Sequence, residues 1–296
     1  MEYRGDADIS SSRVRYGGGA GSGGGRRGGR VALGGGVGGL VVLLLVVFLG
    51  GDIGDLLGGE QSGATQQQPS GQRCTKASEI EQNRDCRWDA YEVALTNYWE
   101  SAFTSGFEPV SAMQLFSGKV ATACGTGTSE MGPFYCPGDT TIYLDTEFTG
   151  QLLQQLGTER SDAAELYIVG HEYGHHISNL TGDMKKARAG GNDTGPKSGG
   201  VRLELQADCY AGVFFHNTIK DPASPIAAVT QDDLNRIVAA ARAVGDDHIQ
   251  EQSGGRVVPE SWTHGSSEMR QHWVGVGFSS GDPASCDTFS TDNLGG

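Results

Sequence analysis

His171, Glu172 and His175 are the residues whose types and spacing could do chemistry in this chain. They form His171-Glu-Tyr-Gly-His175 inside the largely apolar run 166–177. Residues four apart share one face of a helix, so both imidazoles would point at the same ion with Glu172 beside them to handle a proton. H-E-x-x-H on a helix is the pattern of a hydrolytic zinc site. Two neutral histidines supply nitrogen ligands, a third protein group completes the set, and the fourth position stays open to water. Five residues can match this pattern by accident, so a third ligand has to be found.

The candidate is Glu204. Apolar residues at 201, 205, 209 and 213, and at 203, 207, 210 and 214, predict a mostly buried helix over 201–215. Glu204 and Asp208 stand four apart on it, where a buried carboxylate needs a cation or strong donors. Zinc would be the cation for Glu204. Asp208 would accept the outer N–H of a ligand histidine, which fixes its tautomer and ring angle. The alternative is an exposed acidic pair on a solvated face. His264, just before Gly265 where a loop runs into a helix, is a candidate for holding a developing oxyanion, with Arg270 as a second; a lone His can equally be structural. His216, His248 and His272 have no partner at metal spacing, and His176 should face away from His175.

Several elements must position these groups. The helix bearing His171 is expected to start at an Asp162 N-cap with Glu165 three residues on, and to stop at Leu180-Thr181-Gly182. Residues 182–200, rich in glycine, form a loop between the two metal helices that either gates access or is a tolerated insertion. An aromatic stripe including Trp88, Tyr91, Tyr98 and Trp99 predicts an amphipathic core helix over about 78–105. A weak alternation over 110–120 suggests a strand. The β-branched segment 139–145 is a clearer one; it is either a sheet edge that binds substrate by backbone pairing or an ordinary structural strand. The Gly-rich stretch before it lacks the Gly-Lys-Ser/Thr ending of a phosphate loop. Residues 230–244 predict a capped structural helix.

The 296 residues carry a net charge of −14, and residues 1–30 hold a local +3, leaving −17 for the rest. An acidic body argues against nucleic acid as a partner. Most of the excess of 48 glycines falls in the first 60 positions, so residues 1–30 are expected to be a disordered cytosolic tail. Residues 31–51 are 21 uncharged residues, just enough to span a hydrocarbon core. Arg26, Arg27 and Arg30 precede them and Asp52 and Asp55 follow. By the positive-inside rule this predicts an uncleaved anchor with the body exported, in preference to a cleaved signal peptide. Residues 52–73 are a flexible linker, and the folded body is 74–296. All six cysteines fall there, an even count that suggests disulfides. Fifteen pairings are possible; closing the short local loops first gives Cys74–Cys86, Cys124–Cys136 and Cys209–Cys286.

Taken together, His171-Glu-Tyr-Gly-His-His176, Gly132-Pro-Phe-Tyr-Cys-Pro137, Glu204-Leu-Gln-Ala-Asp-Cys209, Thr263-His-Gly265 and Cys286-Asp-Thr-Phe289 resemble the bacterial putative neutral zinc metallopeptidase family of the YpfJ type. The resemblance runs from about Cys74 to Phe289 and departs in the Gly-rich insert at 189–200. It implies a membrane-anchored zinc peptidase of the gluzincin kind. The E-x-x-x-D pattern and the Thr-His before a later Arg are also similar to those of HtpX-type peptidases. That likeness implies Glu204 as third zinc ligand and His264 as a transition-state stabiliser.

The expected fold is α+β: a mostly helical zincin-like domain with a small sheet, preceded by one transmembrane helix. The expected activity is hydrolysis of peptide bonds in extracytoplasmic proteins or peptides. One Zn2+ on His171, His175 and Glu204 activates a water, with Glu172 as general base and His264, with Arg270, at the oxyanion. The expected location is the bacterial cell membrane, as a single-pass protein. A purely structural zinc site and a zinc amidase acting on peptidoglycan are the alternatives.

Overall fold

A computed structural model describes residues 1–17, 74–189 and 194–296. Residues 1–17, expected to be part of a structureless tail, are built into the fold. They carry two short strands, β1 (Glu2–Tyr3) and β2 (Val14–Arg15), and bury Ile9 and Val14 completely. From Cys74 a 3-10 turn (Ala77–Glu81) leads into α1 (Cys86–Ala102). The single helix expected over 78–105 is thus split, at the turn that the Cys74–Cys86 disulfide closes.

After α1 come β3 (Ala112–Leu115), the hairpin β4 (Lys119–Thr122) and β5 (Gly125–Thr128), then β6 (Phe134–Cys136) and β7 (Thr141–Leu144). The helices α2 (Thr146–Gln155), α3 (Asp162–Thr181), α4 (Asp183–Ala189) and α5 (Gly199–Thr218) follow. The last third contains β8 (Ile226–Ala228), α6 (Gln231–Ala243), α7 (Asp246–Gln252) and α8 (Ser267–Ser280). The α+β composition matches the expectation.

The main sheet has the order β2-β3-β7-β6, with β2, β3 and β7 parallel and β6 antiparallel to β7. β7 is therefore an inner strand, not the substrate-binding edge that its sequence allowed. All four of its residues are buried, as expected for a strand paired on both sides. Outside this sheet, β1 pairs with β8.

The preceding transmembrane helix of the expected fold, and with it the single-pass membrane location, finds no support and is corrected. Among the described residues no helix is long and apolar enough to cross a membrane; residues 31–51, like the linker 52–73, lie outside them. The position of residues 1–17 bears on the same point. Their strands pair with β8 and β3 of the main body, so they lie on its side, whereas one crossing in between would separate the two.

The cysteines pair as Cys74–Cys86, Cys124–Cys136 and Cys209–Cys286. The last closes the longest loop, 77 residues in sequence, and staples the C-terminal segment to α5. Replacing Cys209 and Cys286 together by Ala should lower stability by about 2–5 kcal/mol, read as a lower denaturant midpoint. A midpoint equal to wild type would show that this staple holds nothing.

Candidate metal centre

Two helices build the site, and both have their starts written locally. Ser161 caps α3 through Ala164 N–H, one residue before the expected Asp162, and Gly182 ends it in the left-handed conformation with φ 85°. Ser198 caps α5 through Val201 N–H. Gly174, inside the His-Glu-Tyr-Gly-His motif, lets these helices meet backbone to backbone. A Cβ there would come within 2.8 Å of the Ala207 carbonyl oxygen. Gly277 does the same between α5 and α8, since its Cβ would come within 2.0 Å of the Cys209 oxygen.

This close packing brings His171, His175 and Glu204 together, all three buried. His171 Nε2 lies 3.1 Å from His175 Nε2 and 3.1 Å from Glu204 Oε2, while His175 Nε2 is 3.5 Å from Glu204 Oε1. Ligand atoms about 2 Å from a tetrahedral zinc sit roughly 3.3 Å apart, so the trio has the span of three corners of a zinc site. Two imidazole nitrogens facing each other cannot both carry protons, which leaves a bare lone pair directed at the centre.

The electrostatics also call for a cation. Burial holds His175 down to about 3. Burial opposes a charge on His171 too, but Asp208 and Glu204 pull it up to about 10. Burial likewise opposes ionisation of Glu204, yet His175, His264 and His171 hold its carboxyl well below the usual range. The carboxylates of Asp208 and Glu204 thus favour positive charge around the His171 ring. Glu172 behaves differently. Burial pushes its carboxyl up to about 7, with His171 opposing and Glu204 adding, and its buried Oε2 has no hydrogen-bond partner among the described residues.

Asp208 is fully buried and sits behind His171. It accepts His171 Nδ1–H at 2.8 Å, Tyr167 O–H at 2.6 Å, and Arg270 Nε and Nη2 at 2.9 Å each. Asp208 thus occupies the outer nitrogen of His171. Arg270, read from the sequence as a second oxyanion group, has its guanidinium on Asp208, on Tyr167 at 3.3 Å and on the Val244 carbonyl at 3.4 Å. Arg270 lies on the Nδ1 side of His171 and serves to neutralise Asp208, away from the place where an oxyanion would form. Tyr167 was not singled out in the sequence, although it stands one turn before His171, where a hydroxyl can reach the same partner.

His264 is held by Asp246. Asp246 Oδ2 accepts the backbone N–H groups of Thr263, His264 and Gly265 at 2.6, 2.7 and 3.0 Å. Its Oδ1 lies 3.3 Å from His264 Nδ1, and Thr263 Oγ1 is 2.7 Å from the same nitrogen. Fixing Nδ1 in this way puts Nε2 on the opposite edge of the ring. Gly265 has φ 88°, and a Cβ there would meet Val201 at 3.2 Å and Leu205 at 3.5 Å, on the helix that carries Glu204. Asp246 was also missed: in sequence it is one of two adjacent acids at a helix start, with nothing to link it to a histidine 18 residues on.

His176, His216 and His248 make structural hydrogen bonds. His176 bonds Tyr135 O–H through Nδ1 and donates through Nε2 to the Glu108 carbonyl, tying α3 to β6. His216 and His248 donate to the Phe278 and Leu156 carbonyls.

Known proteins give an independent line. A family model described as Putative neutral zinc metallopeptidase matches residues 1–289. An uncharacterized protein of Mycobacterium tuberculosis is 42% identical over 256 residues, covering 81% of this chain and 86% of that protein. The uncharacterized protein YpfJ of Escherichia coli is 43% identical over 178 residues, covering 59% and 60%. No solved structure matches.

Proposed function

Because the chain belongs to the putative neutral zinc metallopeptidase family, we propose that it hydrolyses peptide bonds in proteins or peptides, with one zinc ion held by His171, His175 and Glu204. The observation that carries this reading is the convergence of those three ligand atoms at separations of 3.1 to 3.5 Å. When bound, zinc supplies a Lewis acid that polarises a carbonyl and lowers the pKa of water.

The chain's own groups do the rest. The Glu172 carboxylate accepts a proton from the attacking water and later delivers it to the leaving amine nitrogen. Its Oε2, without a hydrogen-bond partner among the described residues, is the oxygen available for that transfer. His264, with Nδ1 engaged by Asp246, donates from Nε2 to the oxygen that gains charge as the carbonyl is attacked. Asp208, with Tyr167 and Arg270 around it, fixes the His171 ring so that Nε2 faces the centre.

The test is zinc analysis of the purified full chain together with casein hydrolysis, with and without a chelator. Peptidoglycan fragments run in parallel would expose an amidase. Wild type should carry zinc and cleave casein in a chelator-sensitive way. Glu204→Ala should lose both, and His264→Ala should keep zinc with a lower kcat. Zinc stoichiometry unchanged in Glu204→Ala would remove that residue from the ligand set. Zinc-loaded protein that cleaves no casein would sink the peptidase reading.

A further inference from the structure

Residues 1–16 contain none of the proposed metal ligands, yet two hydrogen-bond chains connect them to the helix that carries His171 and His175. The first reaches the start of α3. Tyr3 O–H donates to Asp162 Oδ2 at 2.9 Å and lies 3.0 Å from the Tyr91 hydroxyl, which bonds the Asp162 carbonyl at 3.2 Å. The second reaches its middle. Arg13 N–H donates to Glu92 at 3.0 Å, Thr96 donates to Glu92 at 2.9 Å, and Thr96 is 3.0 Å from the hydroxyl of Tyr173. Tyr173 stands between the two ligand histidines and is fully buried.

The second chain runs through Glu92 and Thr96 of α1, and the first reaches α3 both directly and by way of Tyr91 of α1, which contacts both the N-terminal segment and α3. Tyr16 adds a bond to Asp89 on the same helix. The segment is fastened by packing as well: Val14 and Arg15 extend the main sheet beside β3. Ile9 fills a small core with Ile80, Val93 and the Cys74–Cys86 disulfide. The family match also begins at residue 1 and so includes this segment.

We propose that residues 1–16 are a clamp on the metal-binding helix, and that their docking sets how rigidly α3 presents its two imidazoles and thus how tightly zinc is held. Ligand preorganisation of this kind raises metal affinity because less order has to be imposed on binding. Strands of two residues are weak pairing units on their own, so the docking of this segment depends on buried Ile9 and Val14 and on the hydrogen bonds above. The inference rests on the zinc reading for its metal readout only.

The experiment uses the full chain with Val14→Asp, which places a charge in the buried sheet position, and separately Tyr3→Phe and Thr96→Val, which cut one chain each. Amide hydrogen exchange across residues 162–181 is measured in metal-free protein, and zinc affinity by competition with a chromophoric chelator. Val14→Asp should speed exchange in α3 and weaken zinc by about tenfold or more, and each single cut should shift both in the same direction by less. Fast exchange of residues 1–16 in Val14→Asp, with α3 exchange and zinc affinity at wild-type values, would overturn the clamp. If Val14→Asp does not fold, the two conservative variants decide, and no shift in either overturns it. Exchange in metal-free protein needs neither zinc nor hydrolysis, so failure of the peptidase reading and failure of the clamp are separately visible.

Discussion

Glu172→Gln should bind zinc at the wild-type stoichiometry and lower kcat by roughly 10²–10⁴-fold, the range that a positioned general base contributes. Gln keeps the shape of Glu but cannot accept a proton. Zinc should stay because the three ligand atoms come from His171, His175 and Glu204. The fold should stay as well, since among the described residues Glu172 Oε2 makes no hydrogen bond that the substitution would break and burial already disfavours its charge. The ionised form is the one that takes a proton, so wild-type activity should also decline as pH drops below the Glu172 pKa. Zinc content and steady-state rates on one peptide decide the matter. A variant with rates within a few-fold of wild type would remove Glu172 from the mechanism.

The second large effect is expected from Asp208→Asn. Asp208 takes Arg270, His171 and Tyr167 in a position with no exposed surface. Asn offers one acceptor and a donor that confronts these donors, leaving the Arg270 charge buried without a counter-ion. Breaking a buried pair from one side costs about 3–5 kcal/mol, and loss of a histidine's outer partner typically weakens metal binding by about 10- to 100-fold. A denaturant midpoint and a zinc titration read the two effects separately. Burial opposes the Asp208 charge, but Arg270 and His171 hold its carboxyl below the ordinary range. A depressed folded pKa stabilises above the unfolded value of about 3.9 and the gain is lost as pH falls through the folded value. The variant should therefore lose less stability than wild type on the acid side. Wild-type stability in Asp208→Asn at neutral pH would contradict the buried-pair account.

The correction to Arg270 follows from the same geometry. Read along the sequence, an Arg six residues after His264 looks like a second oxyanion donor. In the structure α8 packs so closely on α5, through Gly277, that Arg270 falls on Asp208 behind the ligand histidine. Its contribution is to make a buried carboxylate tolerable, and that carboxylate in turn aims His171.

What the sequence determined by itself was whatever depends on spacing within one helix or on a closed inventory. Four-residue separation put His171 with His175, and Glu204 with Asp208, because helical periodicity turns sequence distance into a shared face. An even count of six cysteines pointed to disulfides, and the pairing guessed by closing the two short loops first is the one the structure has. Tertiary structure alone decided what lies between segments far apart in the chain. It sets Asp246 under the His264 loop, turns Arg270 toward Asp208, gives β7 a neighbour on each side and folds residues 1–17 against the body. The physical reason is that periodicity fixes which face a residue occupies, whereas the partner of that face is chosen by close packing, and no local pattern in the chain records it.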